Sequence, residues 1–198
     1  MKIPLSWLRE YIDINLSPVQ ISKILTMAGL EVDAIHQVSA GFEKVVVGKV
    51  IEVIKHPNAD NLRIATVSDG TQNFQVVCGA ENCRPGIKTA FAMIGASLTD
   101  EEGKSFKVKK SKLRGVESDG MLCSAKELGL SDLHDGILEF SEHFKEGADV
   151  AEMYADVVFD ISLTPNLGHC SYVIGVAREL SAATGIPVRL PEIHVEQT

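Results

Sequence analysis

The sequence predicts an α+β chain in which a small closed β-barrel is inserted into a discontinuous α/β domain. Residues 1–39 and 150–198 carry apolar residues at helical spacing, whereas residues 40–149 carry short β-branched runs cut by Gly and Asp. Neither flank is long enough to bury a core alone, so the two are expected to pack together around the inserted barrel.

The elements follow in order. A short helix is expected from Pro4, burying Leu5, Leu8 and Ile12, with Trp7 packing at its edge. A second starts at Ser17, with Pro18 in the first helical position and Gln20 three residues after the cap, the pattern of a capping box. Ile21, Ile24, Leu25 and Ala28 share one face of this helix, and Gly29 ends it. From Val45 the period changes. Val45–Ile54 is β-branched and long, with Gly48 as a bend or bulge, followed by strands at Leu62–Val67, Phe74–Val77, Thr89–Met93 and Phe106–Val108. SDGTQN and LTDEEGKS supply turns between them. Five or so strands in this length suit a barrel that closes on itself, with Phe74, Phe91 and Phe106 in its core. Ser124 and Glu127 form a second capping-box pair, predicting a short helix stopped by Gly129, and Asp135–Phe140 reads as a further strand. Val173, Val176, Ala177 and Leu180 then mark a last helix, ended by Gly185 and Pro187.

Composition narrows the function. An apolar fraction of 45% and a charged fraction of 23% are ordinary for a soluble globular protein, and no apolar run reaches the roughly eighteen residues of a membrane span. The charged N-terminus MKIPLSWLREYID lacks the apolar centre of a secretion signal, and Cys78, Cys83, Cys123 and Cys170 form no compact framework. A cytoplasmic protein with reduced thiols is expected, with no membrane partner. Cys78 and Cys83 lack a second pair that would complete a zinc site, so no metal is expected. No phosphate-binding glycine loop and no nucleophile–base set stands at telling spacing. His56 and His134 are expected as polar surface or capping residues, and Cys123 as a packed thiol between apolar neighbours. No catalytic residue is assigned.

The net charge of −8 argues against a nucleic-acid partner, but its distribution softens the objection. Residues 39–149 hold 14 Lys plus Arg against 17 Asp plus Glu, and Lys104–Arg114 (KSFKVKKSKLR) holds six basic residues and no acidic one. Such a run is either a phosphate-binding face or an edge strand protected from aggregation by its lysines.

The blocks HPNADNLRIATV (56–67), VVCGAENCRPG, FAMIGASL and LRGVESDGMLCSAKELGL (113–130) resemble, in that order, the tRNA-binding OB-fold domain, over roughly residues 40–149. The flanking KIPLSWLREYIDI, TMAGLEVD and FDISLTPNLGHCSYVIGVARELSAATGIP resemble the N-terminal region of the bacterial phenylalanyl-tRNA synthetase β-subunit family, whose first domain is split by an inserted OB-fold. One departure stands out: the family commonly has Arg and an acidic residue after Thr-Pro-Asn, where this chain has Leu167, Gly168 and His169.

The resemblance implies a non-catalytic accessory region of a phenylalanine–tRNA ligase, cytoplasmic, that binds tRNA weakly through phosphates. Its partners would be the α subunit and the remaining β-subunit domains. It implies no cofactor in this region, with ATP and magnesium used by the parent enzyme. The expected tRNA contacts are Lys104, Lys107, Lys109, Lys110, Lys112 and Arg114 in the basic run, Ser118 beyond it, and Asn82 and Arg84 in the neighbouring loop. Ser118, with Gly115 and Gly120, equally suits a purely structural turn. A docking module within the synthetase and a free-standing tRNA-binding protein are the alternatives.

Overall fold

The computed structural model describes residues 1–99, 104–132 and 135–192. In chain order they form β1 (Lys2–Pro4), α1 (Leu5–Tyr11), α2 (Pro18–Met27), β2 (Glu31–Val38), β3 (Glu43–Lys55), β4 (Arg63–Ser68), β5 (Asn73–Cys78) and β6 (Lys88–Thr99). Then follow β7 (Ser105–Lys107), β8 (Ser111–Leu113), β9 (Val116–Ser118), β10 (Gly120–Cys123), β11 (Glu139–Phe140), α3 (Val150–Tyr154), β12 (Asp156–Ser162), a 3₁₀ turn (Pro165–Cys170) and α4 (Val173–Thr184). The chain is thus mixed α and β. It divides into two compact units, Met1–Val38 with Ala155–Thr198, and Ser39–Tyr154. Part of the LTDEEGKS turn (residues 100–103) and His134 lie outside the described residues. Among the described residues no helix is long and apolar enough to cross a membrane.

In the first unit the helices start and stop where the sequence signals them. Ser17 Oγ accepts from the Gln20 amide while Gln20 Oε1 accepts from the Ser17 amide, closing the capping box at 3.3 and 2.9 Å. Gly29 and Gly185 take φ of +95° and +75°, where a side chain would be strained. The flanks are not purely helical, however: β1, β12 and β2 form an antiparallel sheet in that order. The pairing partner of β2 lies more than a hundred residues away in sequence, and the alternation within EVDAIHQV is weak, so local pattern does not reveal it. Phe159 and Ile161 of β12 are buried with Leu8, Ile21, Leu25, Val176 and Leu180 of the helices in one core.

In the second unit the sheet runs β10–β6–β3–β4–β5, with β7 and β11 also paired to β6. It curls into a half-barrel. The Asp119 amide donates to the Gln75 carbonyl (2.8 Å) and the Val77 amide to Ser118 Oγ (3.0 Å), bringing the β9–β10 corner onto β5. Gly48 serves close packing, since a Cβ there would stand 2.7 Å from both Phe91 Cβ and Val67 Cγ1. The core holds Val45, Val47, Ala90 and Leu98 on one side and Val50, Val67, Val76 and Phe91 on the other.

Three local expectations change. The Ser124–Glu127 capping box forms (Ser124 N to Glu127 Oε2, 2.7 Å), but Gly129 at φ +67° follows too soon and only one turn results. Of Asp135–Phe140 only Glu139 and Phe140 pair with β6. The basic run is two strands, β7 on β6 and β8 on β9, interrupted where Val108 turns inward and is buried.

Candidate nucleic-acid interface

The β8–β9 hairpin turns through two residues, Arg114 and Gly115, at φ +48° and +95°. Positive φ at both central positions is the hairpin turn that matches strand twist, and it normally takes Asn or Gly first. Arg114 holds that position at a conformational cost, and residues held so are concentrated at binding sites.

Two side chains from the HPNAD loop clamp this turn. His56 is buried, with Nδ1 accepting from the Asn58 amide (3.1 Å). Its other nitrogen, Nε2, therefore carries the proton and donates to the Leu113 carbonyl at 3.1 Å. Asn58 Nδ2 donates to the Arg114 carbonyl at 3.0 Å. Gln75 Nε2 donates to the Glu117 carbonyl from the β5 side (2.7 Å). His56 is thus a buried strut rather than a surface residue, and its Nδ1 caps the Asn58 amide, the capping role the sequence also allows. The strut depends on tertiary contacts with residues more than fifty positions away.

The expected contact residues fall into two groups. Lys107, Lys109, Lys112 and Arg114 are exposed, and their cationic heads have no ion-pair partner among the described residues. Lys104 is exposed too. Lys110, by contrast, sits between Glu117 (2.8 Å) and Asp119 (3.2 Å), whose carboxylates hold its ammonium charged above the ordinary lysine range. Arg84 forms a two-point pair with Glu139 (2.8 and 2.7 Å), which holds that carboxyl below its usual range. Asn82 spends its amide on Ile137 and Glu139, and Ser118, buried, accepts from Val77 and donates to Gly120. These last three side chains hold the loops around a cavity of about 760 Å³, lined by Val77, Cys78, Leu113, Met121, Leu122 and Ile137 among others.

Phe106 departs from expectation. Phe91 is fully buried and packs Phe74 at a centroid distance of 5.1 Å, but Phe106 is 39% exposed. It lies on β7, which among the described residues pairs only with β6, and it directly precedes Lys107. An exposed ring beside unpaired lysines is the combination that holds single-stranded or looped nucleic acid.

All four cysteines are free and buried. Burial pushes the Cys123 thiol up, as suits a packed side chain. Cys78 is held below the ordinary thiol range, first by a hydrogen bond from the Cys83 thiol and then by the Ala80 amide. His169, Cys170 and Glu179 also come together in the first unit, away from any motif the sequence marked as metal-binding.

A curled antiparallel sheet with a braced cationic hairpin at its corner defines a binding module of the nucleic-acid class. Residues 45–149 match the family described as "Putative tRNA binding domain", and the chain belongs to that family. It is 65% identical over 193 residues to the phenylalanine–tRNA ligase β subunit of Protochlamydia amoebophila, covering 98% of this chain and 24% of that protein. It is 48% identical over 199 residues to the same subunit of Burkholderia pseudomallei, covering 98% of this chain and 25% of that one. The chain therefore spans about a quarter of the length of these curated relatives. Among solved structures, a MetRS related protein from Pyrococcus horikoshii is similar at 21% identity and a TM-score of 0.39, over 69% of this chain and 99% of that one.

Proposed function

We propose that this chain is the tRNA-binding region of a phenylalanine–tRNA ligase β subunit, and that its half-barrel is an OB-fold inserted into a discontinuous α/β domain. The region serves aminoacylation without carrying it out. ATP, magnesium, the α subunit and the remaining β-subunit domains belong to the parent enzyme, which works in the cytoplasm.

The observation that carries the proposal is the braced hairpin with its uncompensated cations. Lys112 and Arg114 on the hairpin, with Lys107 and Lys109 in the segment leading into it, present four positive charges in a chain whose net charge is −8. Lysines attract phosphate as point charges, so they give affinity and orientation rather than sequence readout. Phe106 adds one stacking surface. Lys104 extends the same basic run. Lys110, Arg84, Asn82 and Ser118 act by shaping the site, because their polar groups are already engaged within the fold.

The pairing of Lys110 and Arg84 with carboxylates also suits a docking module. Charge reversal separates the two. Lys109→Glu with Lys112→Glu should weaken binding of a phenylalanine tRNA transcript about tenfold or more in fluorescence anisotropy, with unfolding unchanged. Unchanged affinity would remove the hairpin from the RNA site and leave docking as its role.

A further inference from the structure

The replacement of the family's usual residues by Leu167-Gly168-His169 leaves an unexplained histidine at the end of the 3₁₀ turn. In the fold it meets two other donors. His169 Nε2 lies 3.2 Å from Glu179 Oε1 of α4, and these atoms and the Cys170 sulfur all lie within 4.8 Å of one another. No other such trio of His, Cys, Asp or Glu occurs among the described residues. We infer that His169, Cys170 and Glu179 form a binding site for a divalent transition-metal ion, with zinc as the natural occupant.

Donor chemistry supports zinc. One imidazole nitrogen, one thiolate sulfur and one carboxylate oxygen are its three common protein ligands, and a fourth position remains for water. Tetrahedral zinc with bonds of about 2.0–2.3 Å sets its ligand atoms about 3.5 Å apart. The nitrogen and oxygen already meet that spacing. Closing on the sulfur takes a shift of about 1 Å. His169 has freedom to make it, its side chain being 58% exposed.

The backbone is already set. Gly175 lies against the 3₁₀ turn so closely that a Cβ would strike the His169 carbonyl oxygen and stand 2.8 Å from Cys170 Cα. This close approach fixes the turn that carries two donors against the helix that carries the third. Cys170 is a free cysteine, and a cysteine ligates a metal only as its thiolate. Binding therefore displaces one proton: Cys170 S–H and M²⁺ give Cys170 S–M and H⁺, the thiolate keeping the electron pair. The bound ion would clip the 3₁₀ turn to α4.

Cobalt(II) is the probe, added to the untagged chain under reducing conditions. One equivalent should produce a near-ultraviolet thiolate-to-cobalt band and strong visible bands of tetrahedral geometry, both abolished by zinc. Cys170→Ser should abolish the thiolate band, and His169→Ala, at an exposed side chain, should weaken binding roughly tenfold or more. Zinc should raise the melting temperature of the parent chain and not that of His169→Ala. The Cys78→Ser/Cys83→Ser chain should keep the signal. No thiolate band, or one that persists in Cys170→Ser or disappears in Cys78→Ser/Cys83→Ser, would overturn the assignment.

Discussion

His56→Ala tests whether the HPNAD loop holds the cationic hairpin. The imidazole is buried, at 2% exposure, and makes two hydrogen bonds to backbone, one to the Leu113 carbonyl and one from the Asn58 amide. Removing it leaves a donor and an acceptor without partners, each costing about 1–3 kcal/mol if dry. The vacated space is polar and large enough for a water molecule, which recovers part of that cost. The expected net loss is about 2–3 kcal/mol by urea unfolding. Asn58→Ala removes only the exposed bond to the Arg114 carbonyl and should cost about 0.5–1 kcal/mol. Both variants should speed hydrogen exchange at the β8 and β9 amides. The double variant should be non-additive, since both side chains hold one turn. A loss below about 0.5 kcal/mol for His56→Ala, or unchanged exchange in β8 and β9, would refute the bracing role.

Two further substitutions separate fold from function. Arg114→Asn places a residue that tolerates left-handed backbone at the φ +48° position, so stability should hold or rise by up to about 1 kcal/mol while tRNA affinity falls; parallel loss of both would contradict a binding role for the guanidinium. Cys78, lowered by its neighbours, should alkylate faster at neutral pH than Cys123, whose thiol burial pushes up. Cys83→Ala removes the hydrogen-bond donor and should slow Cys78; mass spectrometry after iodoacetamide treatment reads both.

Much of this architecture is legible locally. Ser17 and Gln20, the Val45–Ile54 run and the Val173–Leu180 face each declare their element by chemistry within a few residues. What escaped depends on partners distant in sequence. The β2 strand exists because β12 pairs with it, and the bracing His56 because Leu113 is folded against it. The basic run was visible as a run, but which lysines are compensated was not. Lys110 loses its availability to Glu117 and Asp119 only because the hairpin folds back, while the adjacent Lys109 does not. Phe106 looked like core because its composition matches core; its position on a strand that among the described residues is paired along one edge leaves it in solvent.

The central claim is that the hairpin binds tRNA through phosphates, and the salt dependence of affinity tests it most directly. Four uncompensated cations, Lys107, Lys109, Lys112 and Arg114, predict a log–log slope of about −3 for phenylalanine tRNA, reduced by roughly half in Lys109→Glu/Lys112→Glu. A slope near zero, or one unaltered by the double reversal, would contradict it.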